Sequence, residues 1–312
     1  MMSGVPTEEE QGCGTAAEFR SGFVPLLGRP NVGKSTLLNR LVGYKVAIVS
    51  PVPQTTRNRI RGVLTLPGRG QVIFIDTPGI HKPKFRMNRR MVTLALETLT
   101  ETDVVLFMVD ASQRMGGGDR FVMQQLREAN TPTFLLLNKI DRVRKEALLP
   151  MIDAYRREME FAEIIPISAA DGTQCDRLVD VLLENLPVGP ALFPEDYLTD
   201  QMQRFLAGEI VREKLLYHTR EELPHATAVQ VESYKEEDSL LRIQATILVE
   251  RENQKAIVIG KQGSLLKIIG TEARLELEQQ LGTKVFLELW VRVEPGWRQS
   301  ERLLDELGIR RS

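Results

Sequence analysis

Cysteine and histidine are nearly missing from this chain: of 312 residues, two are Cys and three are His. Cys13 and Cys175 stand far apart with no CxxC, and His81, His218 and His225 are equally scattered. That excludes a disulfide framework and a Cys/His zinc site, and it fits a reducing compartment. Long apolar runs are missing as well, since stretches such as Val104 to Val109 are far too short to cross a bilayer. The first residues lack the apolar core of a secretion signal. A cytoplasmic protein is expected, with peripheral contact at the inner face of the membrane left open. Nor does one sign of charge dominate, because the formal net charge is -1 and the pI near 6.4. Without a global basic field, any nucleic-acid binding must come from a local site.

What is present suggests about two domains. Residues 1–22, with acidic Glu8 to Glu10 and scattered glycines, show no helical or strand period and read as a mobile tail. Residues 23–186 alternate apolar strand candidates with amphipathic helix candidates. The strands are Phe23 to Leu27, Ile60 to Thr65, Gln71 to Asp76, Val104 to Asp110, Thr133 to Asn138 and Ile164 to Ser168. The helices are Lys34 to Val42, Asn88 to Glu101, Asp119 to Glu128, Lys145 to Glu160 and Arg177 to Asn185. Continuously apolar strands imply a sheet covered on both faces, so the fold class is α/β, doubly wound, with an antiparallel hairpin across Leu66 to Gly70. In such sheets ligands sit beyond the carboxyl ends of the strands.

Residues 187–200, with Pro187, Gly189, Pro190 and Pro194, read as a linker. Residues 201–312 then follow the order α-β-β-α-α-β with a final helix, a smaller α+β unit. Its helix Ser264 to Leu281 carries Leu265, Ile269, Ala273, Leu277 and Leu281 on one face.

The stretch Gly28, Arg29, Pro30, Asn31, Val32, Gly33, Lys34, Ser35 fits G-x-x-x-x-G-K-[ST] between a strand and a helix, and Thr36 follows inside the helix. Gly28 and Gly33 let successive N–H groups surround phosphate oxygens, and the helix adds the positive end of its dipole. Lys34 then neutralises the β- and γ-phosphates, and Ser35 offers a hydroxyl to Mg²⁺. Asp76, Thr77, Pro78 and Gly79 end a strand, where a carboxylate can hold Mg²⁺ and the Gly79 N–H can reach the γ-phosphate. Asn138, Lys139 and Asp141 end another strand. Asp141 can accept two hydrogen bonds from guanine N1–H and the N2 amino group, a pair adenine does not offer. Lys139 is expected along the base and Asn138 as the tie to the phosphate loop. At Ser168, Ala169 and Ala170, small side chains let a backbone N–H reach the base carbonyl. Ile80 stands where Ras-like enzymes carry the glutamine that orients the attacking water.

GRPNVGKS, PQTTRNRI, DTPG, NKID and SAA, in this order, resemble the TrMe-Era-EngA group of GTPases. Val258, Ile259, Gly260, Lys261, Gln262 and Gly263 resemble the GxxG loop of a type II KH domain. Close backbone approach to a sugar-phosphate chain is what such glycines allow, with Ile259 lining a groove for bases and charge from Lys255, Lys261 and Lys267. Trp290 and Trp297 are expected as packing residues. The resemblance implies a switch that binds GTP and GDP and hydrolyses GTP with Lys34, Asn31, Thr56 and Gly79 in the catalytic machinery. It implies Mg²⁺ on Ser35, Thr56 and Asp76, with Thr56 favoured over Thr55. It points to Asn31 helping to hold a K⁺ ion, and Arg57, beside the switch threonines, is the competing candidate. The implied partners are 16S ribosomal RNA near its 3′ end and the 30S subunit precursor, for a monomeric protein. Two rivals stand beside this reading: an RNA-binding scaffold that holds GTP with little hydrolysis, and a GTPase acting chiefly at the membrane.

Overall fold

The structure, a computed structural model, describes residues 18–80, 85–100 and 102–309. Six strands form the first sheet: β1 (Arg20–Gly28), β2 (Ile60–Leu66), β3 (Gly70–Asp76), β4 (Val105–Asp110), β5 (Thr133–Asn138) and β6 (Glu163–Pro166). Their order is β2-β3-β1-β4-β5-β6, all parallel except β2, which pairs with β3 as the expected hairpin. Helices α1 (Lys34–Val42), α2 (Arg86–Glu97), α3 (Gly117–Ala129), α4 (Leu148–Glu158) and α5 (Cys175–Asn185) cover it. Alternate residues of one strand serve opposite cores: Leu106 and Met108 of β4 pack with α1 and α5, while Val105, Phe107 and Val109 pack with α3 and α4. A strand of period two that is apolar at every position must have this double burial. The chain order reverses at β1, which pairs with β3 on one side and β4 on the other, so the loop after β1 lies at the switch point where α/β sheets bind ligands.

The second unit holds α6 (Gln203–His218), β7 (Ala228–Glu237), β8 (Leu240–Val249), α7 (Glu252–Ile259), α8 (Ser264–Leu281), β9 (Lys284–Val293) and α9 (Glu301–Glu306). Its sheet runs β7-β8-β9, with β9 parallel to β8. Odd-numbered residues such as Leu241, Ile243, Ile247 and Val285 face α6 and α8, where Ile269, Ala273 and Leu277 meet them. This is the expected α+β unit.

Several details differ from the sequence reading. β1 begins at Arg20, inside the expected tail, because Arg20 pairs with Gly70 and its guanidinium donates to the Leu186 carbonyl at 2.6 Å. Residues 1–17 lie outside the described residues. The expected helix from Lys145 opens as a short 3-10 turn and becomes α4 only at Leu148. The linker is a strap, not a loose hinge. Buried Gln71 accepts from the N–H groups of Leu192 and Phe193 at 2.8 and 2.9 Å and donates to Phe193 O at 2.9 Å. Further on, the Val63 N–H donates to Leu198 O at 2.9 Å, so the segment runs along edge strand β2. Sequence periodicity is blind to this, because one glutamine in an apolar strand carries no pattern. Trp297 is fully buried as expected, but Trp290 is 48% exposed, since its even position on β9 puts it on the sheet face opposite α6 and α8.

The two units are joined by charge as well as chain. Lys45 bonds Glu213 of α6 at 2.6 Å and Glu276 of α8, which Lys214 also engages. Burial alone raises the Glu276 carboxyl, yet the ammonium groups of Lys214 and Lys45 outweigh it and hold it below its ordinary 4.5. A depressed carboxyl contributes its stability above the ordinary value and loses it as pH falls through the lowered one. Urea midpoints measured between pH 7 and pH 3 are therefore expected to fall more steeply below about 4.5 for the wild type than for Glu276→Gln.

Candidate functional site: a nucleotide cleft under a KH unit

Gly28 and Gly33 bound the loop after β1 with φ of 151° and 103°. A Cβ at Gly28 meets Met108 O at 2.3 Å, and one at Gly33 meets the Asn138 amide at 2.3 Å, so no other residue fits either place. α1 follows with no acidic residue in its first turn, which leaves the positive end of its dipole uncompensated. Beside this loop lies a cleft of about 480 Å³ lined by Pro30, Asn31, Gly33, Lys34, Ser35 and Thr36, by Gly79 and Lys139, and by residues 48–51 and 54–56. The α6 residue Tyr217 closes one side, so the second unit forms part of its wall.

Lys34 is buried and bonds the carbonyls of Gly28 and Arg29 at 3.4 and 3.1 Å. Burial lowers its ammonium to about 8 despite Asp76 nearby, and an anion in the cleft reverses that cost. Asp76 Oδ2 accepts from Ser35 Oγ at 2.5 Å and from Thr56 Oγ1 at 3.2 Å, while its Oδ1 is buried without a partner. Burial raises this carboxyl above the ordinary range, against the pull of Lys34, Ser35 and Thr56. An oxygen-only set with one orphaned carboxylate oxygen fits Mg²⁺, a hard cation, and no softer metal. Thr55 turns away, bonding Ser50 Oγ and Val52 O at 2.7 Å each.

The base end is built by side chains that hold loops together. Asn138 donates to Val32 O at 2.7 Å and accepts from the Ala169 N–H at 2.9 Å, so it ties the phosphate loop to the Ser168 loop. Ser168 Oγ donates to Asp141 Oδ1 at 2.9 Å, fixing the carboxylate. Lys139, at φ 68°, donates to Asn31 O at 2.7 Å and pairs with Asp110 Oδ2 at 2.6 Å. Asp110, at the end of β4, and Arg40, whose Nε donates to Ala169 O at 2.7 Å, are absent from the sequence-based site. Asp110 had a signal, a carboxylate at a strand end, whereas Arg40 on a helix face had none.

Other expected residues shape the site from behind. Thr77 Oγ1 donates to Leu26 O at 2.7 Å in the core, and Val32 is also buried. A Cβ at Gly79 meets Pro30 N at 2.6 Å, so this glycine is required by packing on the phosphate loop. Ile80 is a core residue whose N–H donates to Gly28 O at 3.0 Å. Asn31 Nδ2 donates to Pro51 O at 2.7 Å and joins the phosphate loop to the segment before Thr55. Arg29 points away from the cleft. Its Nε pairs with fully buried Asp119 at 3.0 Å and its Nη2 donates to Gln113 at 3.1 Å. Gly118 gives it room, since a Cβ there meets Arg29 Cδ at 2.7 Å. This socket braces the phosphate loop against α3. Asp119→Asn is expected to lower stability by about 1–3 kcal/mol and to weaken GDP binding, as thermal melts with and without GDP will measure.

Arg57 does not reach the cleft. Its guanidinium is buried, donates to Thr227 O at 2.8 Å and Pro224 O at 3.4 Å, and lies 5.7 Å from the Trp297 ring centre. An arginine finger in cis is therefore excluded in this arrangement. Arg212 of α6 donates to Thr55 O at 2.5 Å, and Glu213 accepts from the Val49 N–H at 2.9 Å. Met87 and Met91 of α2 pack with Trp297, Leu303, Leu304 and Leu248. The Thr55 segment and α2 thus both rest on the second unit.

In that unit Gly260, Gln262 and Gly263 have φ of 73°, 53° and 79°, forming a tight loop between α7 and α8. A Cβ at Gly260 meets Leu265 at 2.9 Å. Lys261, Gln262 and Lys267 are exposed, and Lys255 and Ile259 are half-buried. Ile257 and Ile268 are 54% and 45% exposed beside the loop, apolar residues that the sequence reading assigned to no site.

A P-loop with a guanine-reading carboxylate, joined to a GxxG loop between two helices, defines a GTPase carrying a KH domain. The family profile for the 50S ribosome-binding GTPase matches residues 23–139, and the KH domain profile matches residues 222–298. GTPase Era of Geobacter metallireducens is 53% identical over 93% of this chain and 98% of its own length. GTPase Era of Staphylococcus haemolyticus is 49% identical over 93% of this chain and 97% of its own. The chain belongs to the Era GTPase family. Among solved structures, Era in complex with MgGDPNP and nucleotides 1506–1542 of 16S ribosomal RNA superposes with a TM-score of 0.91 at 45% identity, covering 93% of this chain and 99% of that one. An Aquifex aeolicus Era variant bound to GDP·AlF4⁻ gives the same TM-score, identity and coverage. The chain is a GTPase, and its reaction is hydrolysis of GTP to GDP and phosphate.

Proposed function

We propose that GTP occupancy of the cleft sets how the KH unit engages small-subunit ribosomal RNA near its 3′ end, and that this switch assists assembly of the 30S subunit from its precursor. One observation carries the coupling. Thr56 sits at the metal site, while Arg57 next to it and the Thr55 carbonyl before it are held by the KH unit. Mg²⁺ on Ser35, Thr56 and Asp76 supplies charge to the β- and γ-phosphates. Around it, Lys34 neutralises phosphate charge, Gly79 keeps the Asp76 loop against Pro30, and Asp141 selects guanine.

With Ile80 in place of a glutamine and Arg57 committed elsewhere, Asn31 would help to hold a K⁺ ion that would supply the missing transition-state charge. Turnover is then faster in K⁺ than in Na⁺, and Asn31→Ala removes the difference. The RNA target rests on the likeness to the Era crystallised with nucleotides 1506–1542 of 16S ribosomal RNA. The protein works as a monomer in the cytoplasm. Among the described residues, no helix is long and apolar enough to cross a membrane.

The test measures affinity for a 3′-terminal 16S RNA fragment with GDPNP, with GDP and without nucleotide. Gly260→Asp is expected to lose at least about 10-fold in all three states, because the side chain is strained at positive φ and its carboxylate repels phosphate. Equal wild-type affinity in every state removes the switch.

A further inference from the structure

We propose that the part of the KH sheet face opposite α6 and α8 that α2 and α9 leave uncovered, centred on Trp290, is a second RNA-binding surface on which unpaired bases stack beyond the GxxG clamp. The inference rests on the KH reading above and extends it.

Even-numbered residues of β8 and β9 face away from α6 and α8 and pair across the strands as Arg242 with Phe286, Gln244 with Glu288 and Thr246 with Trp290. Phe286 and Trp290 are 41% and 48% exposed. A half-exposed tryptophan among polar neighbours contributes little to packing, and its indole face is the group on which any base can stack. Its surroundings suit a nucleic acid. The Arg242 guanidinium lies 4.6 Å from the Phe286 ring centre, Gln244 donates to Glu288 at 2.8 Å, and Arg292 lies two residues beyond Trp290 on the same face. Arg242 pairs with exposed Glu237 at 3.2 Å, and Arg292 pairs with exposed Glu232 at 3.9 Å and half-buried Glu294 at 3.8 Å and donates to Gln230 Oε1 at 3.4 Å, long surface contacts that a phosphate can displace. Glu288, held by the Gln244 amide, is the one carboxylate between the two rings.

The face is also continuous with the clamp. β9 is the free edge of its sheet, and α7 and α8, which flank the GxxG loop, both pack on it. Leu289, next to Trp290 in the chain but on the helix side, lies under Gly270 of α8. From Gly263 to Gly270 is about 10 Å of helix at 1.5 Å per residue. RNA leaving the clamp needs only to turn round one strand edge to reach Trp290. A KH cleft clamps about four nucleotides. The RNA crystallised with the related Era, nucleotides 1506–1542, is far longer than that.

The test compares two RNAs on the full-length protein with GDPNP: the fragment 1506–1542 and a single-stranded piece just long enough to fill the cleft. Trp290→Ala is expected to bind the long fragment about 10-fold more weakly, the loss of one stacked base, and the short piece unchanged. Trp290→Phe keeps most of the affinity for the long fragment, which separates stacking from misfolding. Equal affinity of Trp290→Ala and wild type for the long RNA overturns the proposal, as does an equal loss on both RNAs. So does unchanged RNA binding with a Trp290-dependent shift in sedimentation, which makes the face a protein interface. Gly260→Asp serves as the separate control. If it weakens neither RNA the KH reading falls, and the Trp290 comparison still stands or fails by itself.

Discussion

Replacing Asp141 with asparagine is expected to cost roughly 10³-fold or more in GTP affinity and to confer affinity for xanthosine triphosphate. The carboxylate offers two acceptors to two guanine donors, N1–H and the N2 amino group. An amide offers one acceptor and one donor, so its NH₂ faces the guanine amino group, donor against donor. Xanthine keeps N1–H but carries a carbonyl at C2, which restores the match. The fold does not suffer, because Asp141 is held only by Ser168 Oγ at 2.9 Å and by exposed Arg142 at 3.7 Å. Isothermal titration with GDP and with xanthosine diphosphate measures both halves. Unchanged guanine preference in Asp141→Asn removes Asp141 from base recognition, and tight ATP binding by the wild type removes the guanine site itself.

Arg57→Ala is the second variant with a large expected effect, and its signature is loss of coupling with turnover preserved. The guanidinium bonds the Thr227 and Pro224 carbonyls, and burial together with neighbouring Arg212 lowers its proton affinity, so the docked state spends interaction energy on holding it. A buried cation held on carbonyls at the join of the two units suits a contact made in one nucleotide state and broken in another. Site-to-site coupling is typically about 5–150-fold in affinity, and in Arg57→Ala the ratio of RNA affinities with GDPNP and GDP is expected to fall to about one. Intrinsic hydrolysis in K⁺ stays within about threefold, because the side chain does not touch the cleft. Loss of hydrolysis with coupling intact reverses the assignment and makes Arg57 catalytic. Reciprocity adds a check, since whatever RNA does to GDPNP affinity must vanish in the same variant.

Much of this was open to inspection in the residues themselves. Gly28 to Ser35, Asp76, Asn138 and Asp141 stand at strand ends, and the glycine spacing, with the apolar strands before them, puts them on one edge of one sheet. What the chain order could not reveal were contacts between segments distant in sequence. Arg57 sits beside Thr56 and invites a catalytic reading, yet its partners lie some 170 residues on, at Thr227. Arg29 is part of the phosphate-loop motif, but its charge is spent on Asp119 in α3. Trp290 alternates with apolar neighbours on β9 and so looks internal until one knows that α6 and α8 lie on the other face and that α2 and α9 stop short of it. Each miss has one cause: local pattern tells which way a side chain points along its own element, not what the fold puts there.

The strap held by Gln71 and Val63 extends to Asp200, whose carboxylate accepts from the Arg61 N–H at 3.3 Å. Only Gln201 and Met202 then separate the pinned chain from the first residue of α6. Two residues give a leash of about 7 Å. If hydrolysis frees the KH unit from its seat, it can swivel but not drift, so its local concentration at the docking surface stays very high and reseating costs almost no search. An RNA in its grip is carried on a short crank, its path fixed by where the leash is anchored.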